Sequence, residues 1–175
     1  MADEQIAPDT KDWTWVLEAP CPECGFQAEA VSGAEIPGLV EGYAERWEHV
    51  LARSDVAARP APQVWSPLEY ACHVRDVFGI FARRARLMRD EDGPEFENWD
   101  QDETAVASRY AEQDPAVVAR ELRDAAQDAS AAFSDVQDAE WDRPGYRSNG
   151  SQFTVLSLGR YFVHDVVHHL HDVHG

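Results

Sequence analysis

Five of the seven histidines fall in the last twelve residues: His164, His168, His169, His171 and His174. An α-helix turns about 100° per residue, so side chains four apart share a face. On a helix, His164 and His168 present two imidazoles side by side, at the separation one metal ion needs. His171 falls near the same face, while His169 and His174 point elsewhere. A histidine tail can also be a solvated terminus. This one is interleaved with Val166, Val167, Leu170 and Val173 at helical spacing, which marks it as part of a packed helix.

A third candidate lies far upstream. His73 shares a helical stripe with Tyr70, Val77, Ile80 and Phe81, and that stripe must face a bundle interior. Buried imidazole nitrogens need partners. A hydrogen bond within the core would serve, and so would a metal ion shared with His164 and His168. Three neutral imidazoles leave a divalent cation with open positions, as catalytic sites require. Such an ion could lower the pKa of a bound thiol or water. Zinc is the default, and nickel, iron or manganese suit the same nitrogen set.

Other residues are candidates to orient a ligand or line a pocket. Asp76 follows His73 by one turn, and Asp165 adjoins His164; either could accept an imidazole N–H. Asp165 is read as mainly solvent-facing. Tyr161, Arg160 and Ser157 share the histidine face of the last helix, where Arg160 could grip a carboxylate. Asp100, Gln101 and Asp102 form a polar loop that could reach the site. No residue is singled out as catalytic acid, base or nucleophile. The Cys21-Pro-Glu-Cys24-Gly25 segment admits three readings. As half a zinc ribbon it lacks a second cysteine pair, and as a redox pair it lacks a βαβ context. As a tight turn with structural thiols it needs nothing further, and that reading is adopted. Cys72 is read as a packing residue.

The elements that must carry these groups are helices. The first is expected from about Ile36 to Arg53, where Leu39, Tyr43, Trp47, Val50 and Leu51 recur at helical spacing. The second starts at a Ser66 cap with Pro67 at its first position and Glu69 closing a capping box, and runs to about Arg89. A short helix is expected over 103–111. Asp114-Pro115 opens the next long helix, which runs to about Val136. Residues 141–150 read as a turn-rich loop, and Thr154 caps a final helix to about Val173. Strand-like alternation is weak throughout. Four long helices joined by short or medium loops predict an all-α, antiparallel four-helix bundle of up-down type over 33–175. Residues 1–32 form an irregular arm, held to the bundle by Trp13 and Trp15.

The bulk numbers exclude several classes. With 175 residues and 44% hydrophobic content the chain suits one soluble domain. The net charge of -18 opposes nucleic-acid binding. Arg83, Arg84, Arg86 and Arg89 read as a solvated helix face. No apolar run reaches the roughly 18 residues of a membrane span. The acidic start lacks a signal pattern, and the expected location is cytoplasmic.

The order of cap, histidine and paired histidine resembles the DinB/YfiT-like superfamily. The matching segments are Trp65-Ser66-Pro67-Leu68-Glu69-Tyr70-Ala71-Cys72-His73-Val74-Arg75-Asp76 and His164-Asp165-Val166-Val167-His168-His169-Leu170-His171-Asp172. The resemblance covers roughly residues 36–174 and implies His73, His164 and His168 as the metal ligands. Where many members carry Gln or Arg-Gly-Gln after the last ligand, this chain has His169-Leu170-His171. The family includes metal-dependent hydrolases and transferases or isomerases that use mycothiol or bacillithiol. The Trp-rich, Arg/Ala/Asp-rich character resembles actinobacterial members, for which the thiol would be mycothiol. The resemblance thus implies a thiol-dependent S-transferase acting on a small molecule. A hydrolase using metal-bound hydroxide is one alternative, and a non-catalytic metal-binding or stress-response protein is another. Homodimers are usual in the family.

Overall fold

The computed structural model describes residues 6–175; residues 1–5 of the expected arm lie outside the described residues. The four long helices are α1 (Ile36–Leu51), α2 (Pro67–Asp90), α4 (Pro115–Ser134) and α5 (Val155–Asp172). A short α3 (Gln101–Ala107) lies between α2 and α4. The helix starts follow local chemistry. The Ser66 hydroxyl accepts from the Glu69 amide, and the Glu69 carboxylate accepts from the Ser66 amide. Asp114 accepts from the amides of Ala116 and Val117, and Thr154 from that of Ser157. Each contact satisfies amides that the first turn leaves without a helical acceptor.

Around the bundle the order is α1, α4, α2, α5: α4 packs on α1 and α2, and α5 on both α2 and α1. Consecutive helices α1 and α2 touch only sparingly and sit diagonally. This corrects the simple up-down order expected from the loop lengths. The 52–66 connection is long enough to cross the bundle end, so loop length does not force sequence neighbours to be spatial neighbours. The core between the helices includes Trp47, Phe78, Leu122, Phe133, Leu158 and Phe162, all fully buried. Phe162 stacks on Phe81 and Phe133 and meets Phe78 edge-on.

The turn-rich 141–150 segment contains structure that alternation did not reveal. Strands β1 (Glu95–Phe96), β2 (Pro144–Arg147) and β3 (Gln152–Thr154) form a small sheet in the order β1-β2-β3. β1 and β2 are parallel, with Glu95 opposite Tyr146; β2 and β3 are antiparallel, with Gly145 opposite Phe153. Strands this short have too few residues to display a period. Gly145 packs so closely on Met88 that an added Cβ would lie 2.7 Å from its side chain, which fixes the sheet on the C-terminal end of α2. Arg143 reinforces that junction by donating to the Met88 and Glu91 carbonyls.

The described part of the arm contains two 3-10 turns, Thr14–Leu17 and Ala28–Ala30, and a third, Gly33–Glu35, leads into α1. Val16, Cys21 and Ala28 are buried. Arg160 of α5 donates to the Val31 carbonyl, so this side chain anchors the arm. Of the two tryptophans, Trp13 lies on His164 and His168, and Trp15, more than a third exposed, stacks on Trp13.

Candidate metal centre

Helix α5 carries two adjacent pairs at four-residue spacing, His164 with His168 and Asp165 with His169. The pairs are rotated about 100° from one another, so each faces a different neighbour. The second pair faces α2. His73 Nε2 lies 3.2 Å from Asp165 Oδ1, and His169 Nε2 lies 3.7 Å from the same oxygen. One donor atom from each of the three residues falls within 4.8 Å of the other two. Ligands about 2.0–2.2 Å from one cation stand roughly 3.0–3.5 Å apart, so this trio has the spacing of a metal site.

The surroundings aim the donors. His169 Nδ1 is 2.9 Å from Asp172 Oδ2, a carboxylate oxygen that accepts from it, so Nε2 is the nitrogen that faces Asp165 and would ligate an ion placed between them. Trp99 stacks on His73 at 5.2 Å, and Trp65 covers another side at 5.6 Å. Tyr70 packs on His169. His73 is fully buried, and its Nδ1 has no hydrogen-bond partner among the described residues. Burial disfavours the charge on Asp165, but His73, His169 and His164 outweigh it and hold the carboxyl down to about 2. Burial likewise opposes protonation of His169, yet Asp172 and Asp165 raise its pKa. Two imidazoles and an ionised carboxylate on two helices fit a divalent cation.

The first pair faces the arm. Cys21, Cys24, His164 and His168 each contribute one donor atom within 4.8 Å of the others. The three histidines implied by the resemblance are therefore placed in two groups: His73 with Asp165 and His169, and His164 and His168 with the cysteines. His169, expected to point away, lies against His73 with ring centroids 4.9 Å apart. Asp165, expected to face solvent, is its partner. Neighbouring positions on a helix differ by about 100°, so the face centred on His164 and His168 excludes Asp165 and His169, which occupy the face that meets α2. Cys21 and His168 lie 147 positions apart, and no local pattern could join them.

The remaining candidates take various places. Asp76 is held by Arg75 and Tyr110 and does not reach His73. His171 is exposed at the end of α5. Asp100 caps α3 through the Glu103 amide and lines a cavity of about 840 Å³. Tyr161, Gln101 and Asp102 line it as well, as do Asp165 and His169. Arm residues Asp9, Asp12 and Trp13 form a further wall. Arg147 was missed by sequence reasoning; it lines the cavity and lies over the rings of Tyr161 and Phe153. Its position depends on the unforeseen sheet. Burial pushes the Cys72 thiol up to about 12, consistent with a packing role.

Fold and site together define a four-helix-bundle protein with donor groups of metal-binding type beside a polar cavity. The family model of the DinB superfamily matches residues 39–173, and the chain belongs to that superfamily. Among solved structures it is similar to YfiT from Bacillus subtilis, described as a probable metal-dependent hydrolase with an unusual four-helix bundle topology. The TM-score is 0.67 at 18% identity, covering 88% of this chain and 86% of the other. No curated protein sequence matches the chain. No described helix is long and apolar enough to cross a membrane.

Proposed function

We propose that the protein is a metal-dependent enzyme transferring a small electrophile to the sulfur of a low-molecular-weight thiol, with mycothiol as the expected thiol. The observation that carries this reading is that Asp165 and His169, which meet the buried His73, line a cavity of about 840 Å³, within the size range of small-molecule sites. In this proposal His73, Asp165 and His169 hold the catalytic ion. They are favoured over His73, His164 and His168 because Asp165 joins both of its partners at 3.2 and 3.7 Å. A divalent cation bound there would favour the ionised form of a thiol or water.

The chain's own groups do the rest. Asp172 fixes the tautomer of His169, and Trp65 and Trp99 shield His73 from water. Asp100, Gln101, Asp102 and Arg147 supply hydrogen-bonding groups suited to a hydroxyl-rich thiol. The acidic wall from Asp9, Asp12, Asp100 and Asp102 disfavours strongly anionic substrates. Hydrolysis is the second reading, favoured by the likeness to YfiT. Zinc is the expected metal, and a cytoplasmic homodimer the expected form.

The test uses tag-free full-length protein loaded with zinc or nickel. Calorimetry should detect mycothiol binding, and adding an electrophile should consume the thiol. Asp165→Asn and His169→Ala should reduce turnover by at least 100-fold while circular dichroism stays unchanged. Ester cleavage without thiol would instead select the hydrolase. Metal binding with neither activity would leave a non-catalytic metal-binding protein.

A further inference from the structure

The Cys21–Cys24 turn and the His164/His168 pair are not used by the proposed reaction. We infer that Cys21, Cys24, His164 and His168 form a second metal site, a closed tetrahedral zinc site that clamps the N-terminal arm to α5. Two thiolates and two imidazoles are a donor set that zinc accepts with all four positions filled, which makes such a site structural.

The geometry is that of ligands around an ion. Cys21 Sγ lies 3.7 Å from His168 Nδ1. A sulfur about 2.3 Å and a nitrogen about 2.0 Å from one tetrahedral zinc stand about 3.5 Å apart. His164 is 97% buried, being 3% exposed, and its Nε2 has no hydrogen-bond partner among the described residues. A buried nitrogen left without a partner is costly, and a ligand bond would remove that cost. On the far side of His168, Nε2 lies 3.3 Å from Glu23 Oε2 and 3.9 Å from Asp172 Oδ1. Carboxylates behind a ligating imidazole fix its tautomer and raise its basicity.

The cysteine turn is shaped for the same task. The Cys21 amide donates to the Phe26 carbonyl and the Gly25 amide to the Cys21 carbonyl, folding the segment so that both thiols face one side. Gly25 has φ +77°, the left-handed conformation that glycine adopts without strain. Cys21 and Cys24 are free thiols rather than a disulfide. Trp13 and Phe26 pack on the His164 ring and shelter the site. Binding one Zn²⁺ displaces one proton from each thiol, while the imidazoles bind neutral. The resulting complex carries no net charge, which suits a buried place. Its role follows from the cavity: the arm supplies Asp9, Asp12 and Trp13 to the wall, and the clamp holds that wall on α5.

Cobalt(II) distinguishes this site from the catalytic one, because only thiolate ligands give a sulfur-to-cobalt charge-transfer band in the near ultraviolet. Full-length protein with reduced thiols, titrated with cobalt(II), should show this band together with intense tetrahedral visible bands. Cys21→Ser and Cys24→Ser should lose the thiolate band or halve it, and the double variant should lose it completely. His168→Ala should shift the visible bands, and His73→Ala should leave the thiolate band intact. No thiolate band in saturated wild-type protein would overturn the proposal, a result that does not depend on any variant folding. A band that persists in the double cysteine variant would also overturn it. Thiolate ligation without thiol-transfer activity would sink the proposed function alone; activity without thiolate ligation would sink the second site alone.

Discussion

Asp165 stands where two imidazoles converge, its carboxylate oxygen 3.2 Å from His73 Nε2 and 3.7 Å from His169 Nε2. Asp165→Asn keeps the shape but weakens ligation, so metal affinity should fall at least tenfold when measured by competition with a chromogenic chelator. A second residue-scale prediction concerns Glu69. Burial raises its pKa, but the hydrogen bonds from Arg59 and from Ser66 outweigh that effect, and the net shift is downward. A carboxylate whose pKa is lower folded than unfolded stabilises the fold above the ordinary carboxylate value. That stabilisation is lost as pH falls through the folded value. Glu69→Gln should therefore cost about 1–3 kcal/mol at neutral pH and flatten the acid limb of a stability-against-pH curve. An acid limb identical to wild type would contradict this assignment. At the residue scale the sequence is least legible at His169 and Asp165, which lie off the face centred on His164 and His168 and gain their partner only when α2 docks against them.

At the scale of elements, α2 and α5 carry the trio, and their positions depend on starts and on packing. Ser66→Ala removes the cap of α2 and should destabilise the protein by about 1 kcal/mol in urea unfolding. Phe162→Ala should cost more, about 3–5 kcal/mol, because its ring fills the space between Phe78, Phe81 and Phe133 and no neighbour can close the cavity fully. Both caps and core faces were visible in the sequence because they arise from residues within a turn or two of each other. The sheet was not visible, since its pairing joins β1 to β2 across about 50 positions and leaves only short strands.

At the scale of the whole molecule, the arm and the bundle share one cavity, and metal links them in the proposed second site. Removing zinc with a strong chelator should lower the melting temperature and expose the 6–32 segment to proteolysis before the bundle. Equal cleavage rates with and without chelator would argue against the clamp. The net charge of -18 gives a further expectation. Screening of self-repulsion should raise the melting temperature as salt increases from low to physiological concentration, opposite to the trend for a protein held by surface ion pairs.

The sequence by itself determined the helices, their caps, the buried stripe of His73 and the presence of a histidine-rich last helix. These follow from contacts within a few residues, where composition and period leave a direct imprint. Only the tertiary structure decided which donors meet. It brought α2 to the Asp165/His169 face of α5 and the Cys21–Cys24 turn to the His164/His168 face. The reason is geometric: adjacent positions on one helix differ by about 100°, and the faces they serve depend on how separate elements dock.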